Sequence, residues 1–87
     1  MTKLEEKLIE LGYEHHENYY SHRLYIKKHL DTNDFITIRL SKDRTKISNA
    51  YIDYDSYYFT NQKQINNLQL AFNELQKDLE ELKSCQD

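Results

Sequence analysis

Six apolar residues, Ile65, Leu68, Phe72, Leu75, Leu79 and Leu82, recur at alternating spacings of three and four. That period sets them along one side of an α-helix for about five turns. A stripe of that length has to be buried against something. No proline occurs in the 87 residues and Gly12 is the only glycine, so nothing interrupts the pattern. The spacing predicts a helix over 61–84, capped by Asn61 or Thr60, with Gln64 completing a capping-box-like pair with Asn61.

A second helix is signposted at the other end. Thr2-Lys3-Leu4-Glu5 fits a capping box, Leu4, Leu8 and Leu11 make one stripe, and Gly12 supplies a left-handed stop, which predicts a helix over 3–11. Between the helices the period changes to two. Leu24 and Ile26 alternate with Arg23, Tyr25 and Lys27; Ile36, Ile38 and Leu40 with Phe35, Thr37 and Arg39; Ala50, Ile52 and Tyr54 with Asn49, Tyr51 and Asp53. One aliphatic and one polar phase is the pattern of an antiparallel sheet covered on one side. Asp31-Thr32-Asn33-Asp34 and Ser41-Lys42-Asp43-Arg44 supply the turns. The expected fold is α+β in the order α-β-β-β-α, with both helices on the aliphatic face. Tyr13–Tyr20 would add a fourth, edge strand.

A chain this short suits one domain, 1–87, and has little core to give up to a buried cleft. Cys85 is the only cysteine, which excludes a disulfide framework and fits a reducing, cytoplasmic setting. No apolar run approaches the roughly 20 residues that span a bilayer, and Met1-Thr2-Lys3-Leu4-Glu5-Glu6 lacks a signal-peptide apolar stretch. No membrane association is expected. Formal charge is −3 overall but uneven, about −3 over 1–20, +4 over 21–52 and −4 over 53–87. Residues with AT-rich codons predominate, pointing to a low-GC bacterium or one of its phages or mobile elements.

Catalytic chemistry finds little support. His15, His16, His22 and His29 lack metal-ligand spacing, and adjacent strand residues such as His15 and His16 point to opposite faces. Asp53 and Asp55 share a strand face but have no nucleophile, phosphate loop or oxyanion donors beside them. The expectation is no enzyme, no cofactor and no metal. Two binding surfaces are then available. One is an acidic ridge on the second helix, Glu74, Asp78 and Glu81, with Tyr51, Tyr57 and Tyr58 as aromatic anchors for a protein partner. The other is the open sheet face, where Arg23, Tyr25, Lys27, Phe35 and Arg39 would form a basic-aromatic platform for nucleic acid. The apolar stripe of the second helix also reads as heptads that could pair two chains, leaving monomer and homodimer both open, with Leu70 off the stripe as an exposed contact.

The order α-β-β-β-α resembles that of double-stranded-RNA-binding domains. That family opens its second helix with a phosphate-gripping lysine cluster, whereas this chain has Asn61-Gln62-Lys63-Gln64-Ile65-Asn66-Asn67 followed by Glu74, Asp78, Glu80 and Glu81. The segments 4–13, beginning Leu4-Glu5-Glu6-Lys7-Leu8, and 65–79, beginning Ile65-Asn66-Asn67-Leu68, resemble small accessory proteins of low-GC Gram-positive phages and mobile elements. That resemblance implies a stoichiometric inhibitor, anti-CRISPR-like, whose partner is a host protein such as a CRISPR effector nuclease. It carries no site residues of its own.

Overall fold

A computed structural model describes residues 1–16, 23–29, 34–53 and 62–86, with backbone alone at 63 and 64. Helix α1 spans Lys3–Glu10. The capping box is formed as expected: Glu5 N–H donates to Thr2 Oγ1 at 3.2 Å, and Thr2 N–H donates to Glu5 Oε1 at 3.1 Å. The helix closes in a Schellman motif, with Gly12 N–H on the Ile9 carbonyl and Tyr13 N–H on the Leu8 carbonyl, both 3.0 Å. Gly12 takes φ +98°, and a Cβ there would stand 3.4 Å from Lys27 Cδ. Gly12→Ala is therefore expected to cost about 1–2 kcal/mol, read as a fall in Tm of roughly 4–8 °C per kcal/mol for a domain of this size.

Four strands follow, β1 (Glu14–His16), β2 (Leu24–Lys28), β3 (Phe35–Leu40) and β4 (Ile47–Asp53). They form an antiparallel sheet in the order β1-β2-β3-β4. The edge strand anticipated after Tyr13 is present as β1. The β3–β4 turn is held by Asp43, whose Oδ1 accepts from Ser41 Oγ, Thr45 N–H and Thr45 Oγ1. Those hydrogen bonds, Thr45 and Ser41 hydroxyls first, hold the Asp43 carboxyl down at about 2. Arg44 takes a left-handed φ of 64° in this turn, and its carbonyl accepts from Thr2 Oγ1 at 2.9 Å, tying the turn to the start of α1. Two backbone donors of the β4 edge strand are met by side chains, Ile47 N–H by Gln86 Oε1 and Ala50 N–H by Asn49 Oδ1. Such contacts blunt an edge that would otherwise invite further strands.

Helix α2 spans Gln62–Leu82 and ends in a 3-10 turn, Lys83–Cys85. One core cluster joins Leu4 and Leu8 of α1, Tyr25 of β2, Ile36, Ile38 and Leu40 of β3, Ile52 of β4, and Ala71, Leu75 and Leu82 of α2. Among the described residues no helix is long and apolar enough to cross a membrane.

Two phases differ from the sequence reading. In β2, Tyr25 lies across from Ile38 and Lys27 across from Ile36, so these two share the core phase. Leu24 and Ile26, expected inward, lie across from Arg39 and Thr37 on the opposite face. Tyr25 is 2% exposed. Its hydroxyl donates to Glu5 Oε2 at 2.7 Å, which removes the cost of burying a polar tip. In α2 the buried positions are Ala71, Leu75, Asp78 and Leu82, while Ile65 and Phe72 are 42% and 44% exposed. The helix is thus rotated by about 60° from the stripe Ile65, Leu68, Phe72, Leu75, Leu79, Leu82. The rotation brings Asp78 inward, where a cation waits.

Candidate partner-binding face

Lys27 is that cation. Its Nζ lies 2.6 Å from Asp78 Oδ2, 3.3 Å from Glu74 Oε1 and 3.2 Å from the Leu11 carbonyl, and 4.7 Å from the centroid of the Tyr13 ring. Tyr13 donates its hydroxyl to the same Asp78 oxygen at 2.8 Å, and His29 Nδ1 lies 2.6 Å from Glu74 Oε2. Burial, reinforced by the hydrogen bond and charge of Asp78, holds the Tyr13 phenol far above its usual range. Burial pushes the Glu74 carboxyl up, but the His29 hydrogen bond and the Lys27 charge outweigh it, so the net shift is downward. The network joins β2 to the middle of α2.

This arrangement relocates the expected acidic ridge. Asp78 is 4% exposed and Glu74 is half-buried, each held by Lys27, so the two do not form a free acidic ridge. Of the three acids Glu81 alone is exposed. The expected basic platform is dispersed for the same reason: Tyr25 and Lys27 turn into the core phase, and Arg23 stands half-buried before β2. Phe35 and Arg39 keep the exposed positions expected of them, as does Tyr51. Tyr57, Tyr58, His22, Asp55 and the anticipated cap at Thr60 or Asn61 lie outside the described residues.

The sheet face opposite the core cluster takes its composition from the register. One row across the sheet is His16, Leu24, Arg39 and Asn49; the next is Glu14, Ile26, Thr37 and Tyr51; the third is Lys28, Phe35 and Asp53. Phe35 and Tyr51 are each 38% exposed, on neighbouring strands one row apart. Beside them on this face Leu24 and Thr37 are buried and Ile26 is half-buried. Around them stand two cations, Lys28 and Arg39, and two anions, Glu14 and Asp53, so the charges balance. Sequence reasoning missed Leu24, Ile26 and Lys28 because the assumed phase of β2 put its other residues outward. An apolar centre bearing aromatics with mixed charge at the rim is the anatomy of a protein–protein contact.

His15 lies beside the Tyr25 ring with centroids 5.1 Å apart, on the opposite side of β1 from His16, which lies 3.9 Å from Glu14. Among the described residues no group of His, Cys, Asp and Glu is placed to hold a metal ion. No family model matches the chain, and no curated protein or solved structure matches it.

Proposed function

We propose that this chain is a non-catalytic binding module that occupies a protein partner with the open face of its sheet, centred on Phe35 and Tyr51. The observation that carries the reading is the pair of half-exposed aromatics on a rigid strand framework whose rim charges cancel. Rigid aromatics of this kind are the side chains that contribute most when an interface forms. Charge balance also separates this reading from nucleic-acid binding, which draws most of its affinity from uncompensated Lys and Arg. The resemblance to phage accessory proteins adds a partner class, a host defence nuclease blocked stoichiometrically. In this scheme the block comes from the sheet face rather than from an acidic helix.

The test compares immobilised wild type with the double variant Phe35→Asp/Tyr51→Asp, in lysate of a low-GC bacterium with and without nuclease treatment. Both aromatics are partly solvated, so the variant should stay folded, checked by its thermal melt. Wild type is expected to retain the same protein in both lysates. The variant should lose it by about 30-fold, the equivalent of one interface hot spot of ~2 kcal/mol. Equal retention by the variant contradicts the reading, and capture that vanishes with nuclease transfers the face to nucleic acid.

A further inference from the structure

We infer that the outer edge of β4 is a pairing edge for the β4 of a second copy of this chain, held closed by the side chains of Asn49 and Gln86. The inference is independent of what the sheet face binds. β4 is the seven-residue end strand of the sheet, and among the described residues no strand lies beyond it. Leu40 N–H donates to the Arg23 carbonyl and His29 N–H to the Asp34 carbonyl, so the even-numbered positions along β3 bond β2. The odd ones, Phe35, Thr37 and Arg39, then bond Asp53, Tyr51 and Asn49 of β4. Ala50 lies between these partners and turns its N–H and C=O to the outer edge.

Such an edge is usually protected by shortness, by proline or by lysine. The other end strand, β1, is protected by shortness, with only the three exposed residues Glu14–His16. β4 has neither proline nor a basic residue, and Asp53 at its end is its one charge. In their place it has two side-chain acceptors. Asn49 Oδ1 takes the Ala50 N–H at 2.9 Å, and Gln86 Oε1 takes the Ile47 N–H at 2.8 Å. Gln86 reaches β4 from 39 residues away, in an extended conformation after the 3-10 turn, beside Cys85, which packs against the core. An incoming strand has to displace both acceptors. A second copy fits the edge beneath them. A twofold axis at Ala50 would set each Ala50 N–H on the partner's Ala50 carbonyl, with a small side chain at the axis. Asp53 would then lie toward the partner's Ile47 rather than its own counterpart, so no like charges meet.

The experiment is sedimentation of the full chain at increasing concentration, comparing wild type, Asn49→Val/Gln86→Ala, and that double variant with Ala50→Pro added. Wild type is expected to stay monomeric. The double variant, its fold checked by a thermal melt, should associate into dimers roughly tenfold more strongly or better. Ala50→Pro deletes the outward N–H that the pairing uses and should return the chain to monomer. Amide hydrogen exchange reads the same contact without the proline: in the double variant the Ala50 amide should slow as concentration rises. Asn49→Val alone, at an exposed position, keeps the test if Gln86→Ala loosens the C-terminal turn. A wild type that already pairs through Ala50 overturns the inference. So does a folded Asn49→Val variant, single or double, that stays monomeric, or a dimer that leaves exchange at Ala50 unchanged.

Discussion

Replacing Lys27 by alanine is expected to remove a large share of the folding stability. Asp78 is buried against Lys27 at 2.6 Å, and deleting the ammonium leaves its carboxylate with the Tyr13 hydroxyl alone. Breaking one side of a buried ion pair typically costs about 3–5 kcal/mol. Typical stabilities per residue give a chain of this length on the order of 4–13 kcal/mol in total. Glu74 adds less to the loss, because its side chain is 35% exposed and water takes up part of its charge. A companion variant keeps the claim specific: Lys27→Met with Asp78→Leu and Tyr13→Phe removes every member of the Asp78 cluster at once. It should regain most of the lost stability, because an apolar replacement of a buried pair is often neutral or better. Urea unfolding at neutral pH reads both. A loss below about 1 kcal/mol for Lys27→Ala would mean that Asp78 had not been left buried and uncompensated.

Glu5→Ala is the second large effect, expected at about 3 kcal/mol from a lost cap together with a stranded buried hydroxyl. One carboxylate serves three places: the Thr2 backbone N–H at 3.1 Å, the Tyr25 hydroxyl at 2.7 Å, and Arg44 Nη1 at 3.5 Å. Burial pushes the Glu5 carboxyl up, but the Tyr25 and Thr2 hydrogen bonds and the Arg44 charge outweigh it and hold it below the ordinary value. The Tyr25 phenol is pushed up to about 12, by burial first and then by its bond to Glu5. Because the folded-state carboxyl is depressed, its contribution is complete above the unfolded value near roughly 4.3 and is lost as pH falls below it. Glu74 is depressed too and adds to the same acid limb. Wild-type stability should therefore fall from pH 5 toward pH 3, and Glu5→Ala should flatten that fall without abolishing it. Urea midpoints across this range are the measurement, and an acid limb as steep as that of wild type would contradict the assignment.

What the sequence makes legible are the features set by neighbours in the chain. The Thr2–Glu5 capping box, the stop at Gly12, the β3 alternation of Ile36, Ile38 and Leu40, and the turn at Asp43 each need a few adjacent residues, and each forms as expected. The phases of β2 and α2 depend on partners far away. Lys27 is 51 residues from Asp78, Tyr25 is 20 from Glu5, and Tyr13 is 65 from Asp78. By residue type Tyr25 and Lys27 belong outside a sheet and Leu24 and Ile26 inside. Buried acceptors reverse this, because an amphipathic side chain can bury its stem once its tip is satisfied. One signal was available. Glu74 and Asp78 stand one turn apart on α2 and repel unless a cation lies between them, and the basic middle of the chain could supply one.

The candidate face follows from that same reversal. Turning Lys27 inward turns Lys28 outward, and with it Ile26 and Leu24 come to share a surface with Phe35, Thr37 and Tyr51. The sheet keeps its aromatic pair but loses the excess positive charge that the other phase would have given it. That balance is why we propose protein recognition, rather than phosphate neutralisation, for this face.

The most direct test is the rate at which Lys27 and Lys28 are acetylated in the native protein, read by mass spectrometry of peptides that separate the two adjacent sites. Lys28 is exposed, whereas Lys27 retains 14% exposure and is held by two carboxylates. The structure predicts that Lys28 reacts promptly and Lys27 roughly tenfold or more slowly, through local opening. Equal rates, or a faster Lys27, would place β2 in the opposite phase and remove the basis for the proposed binding face.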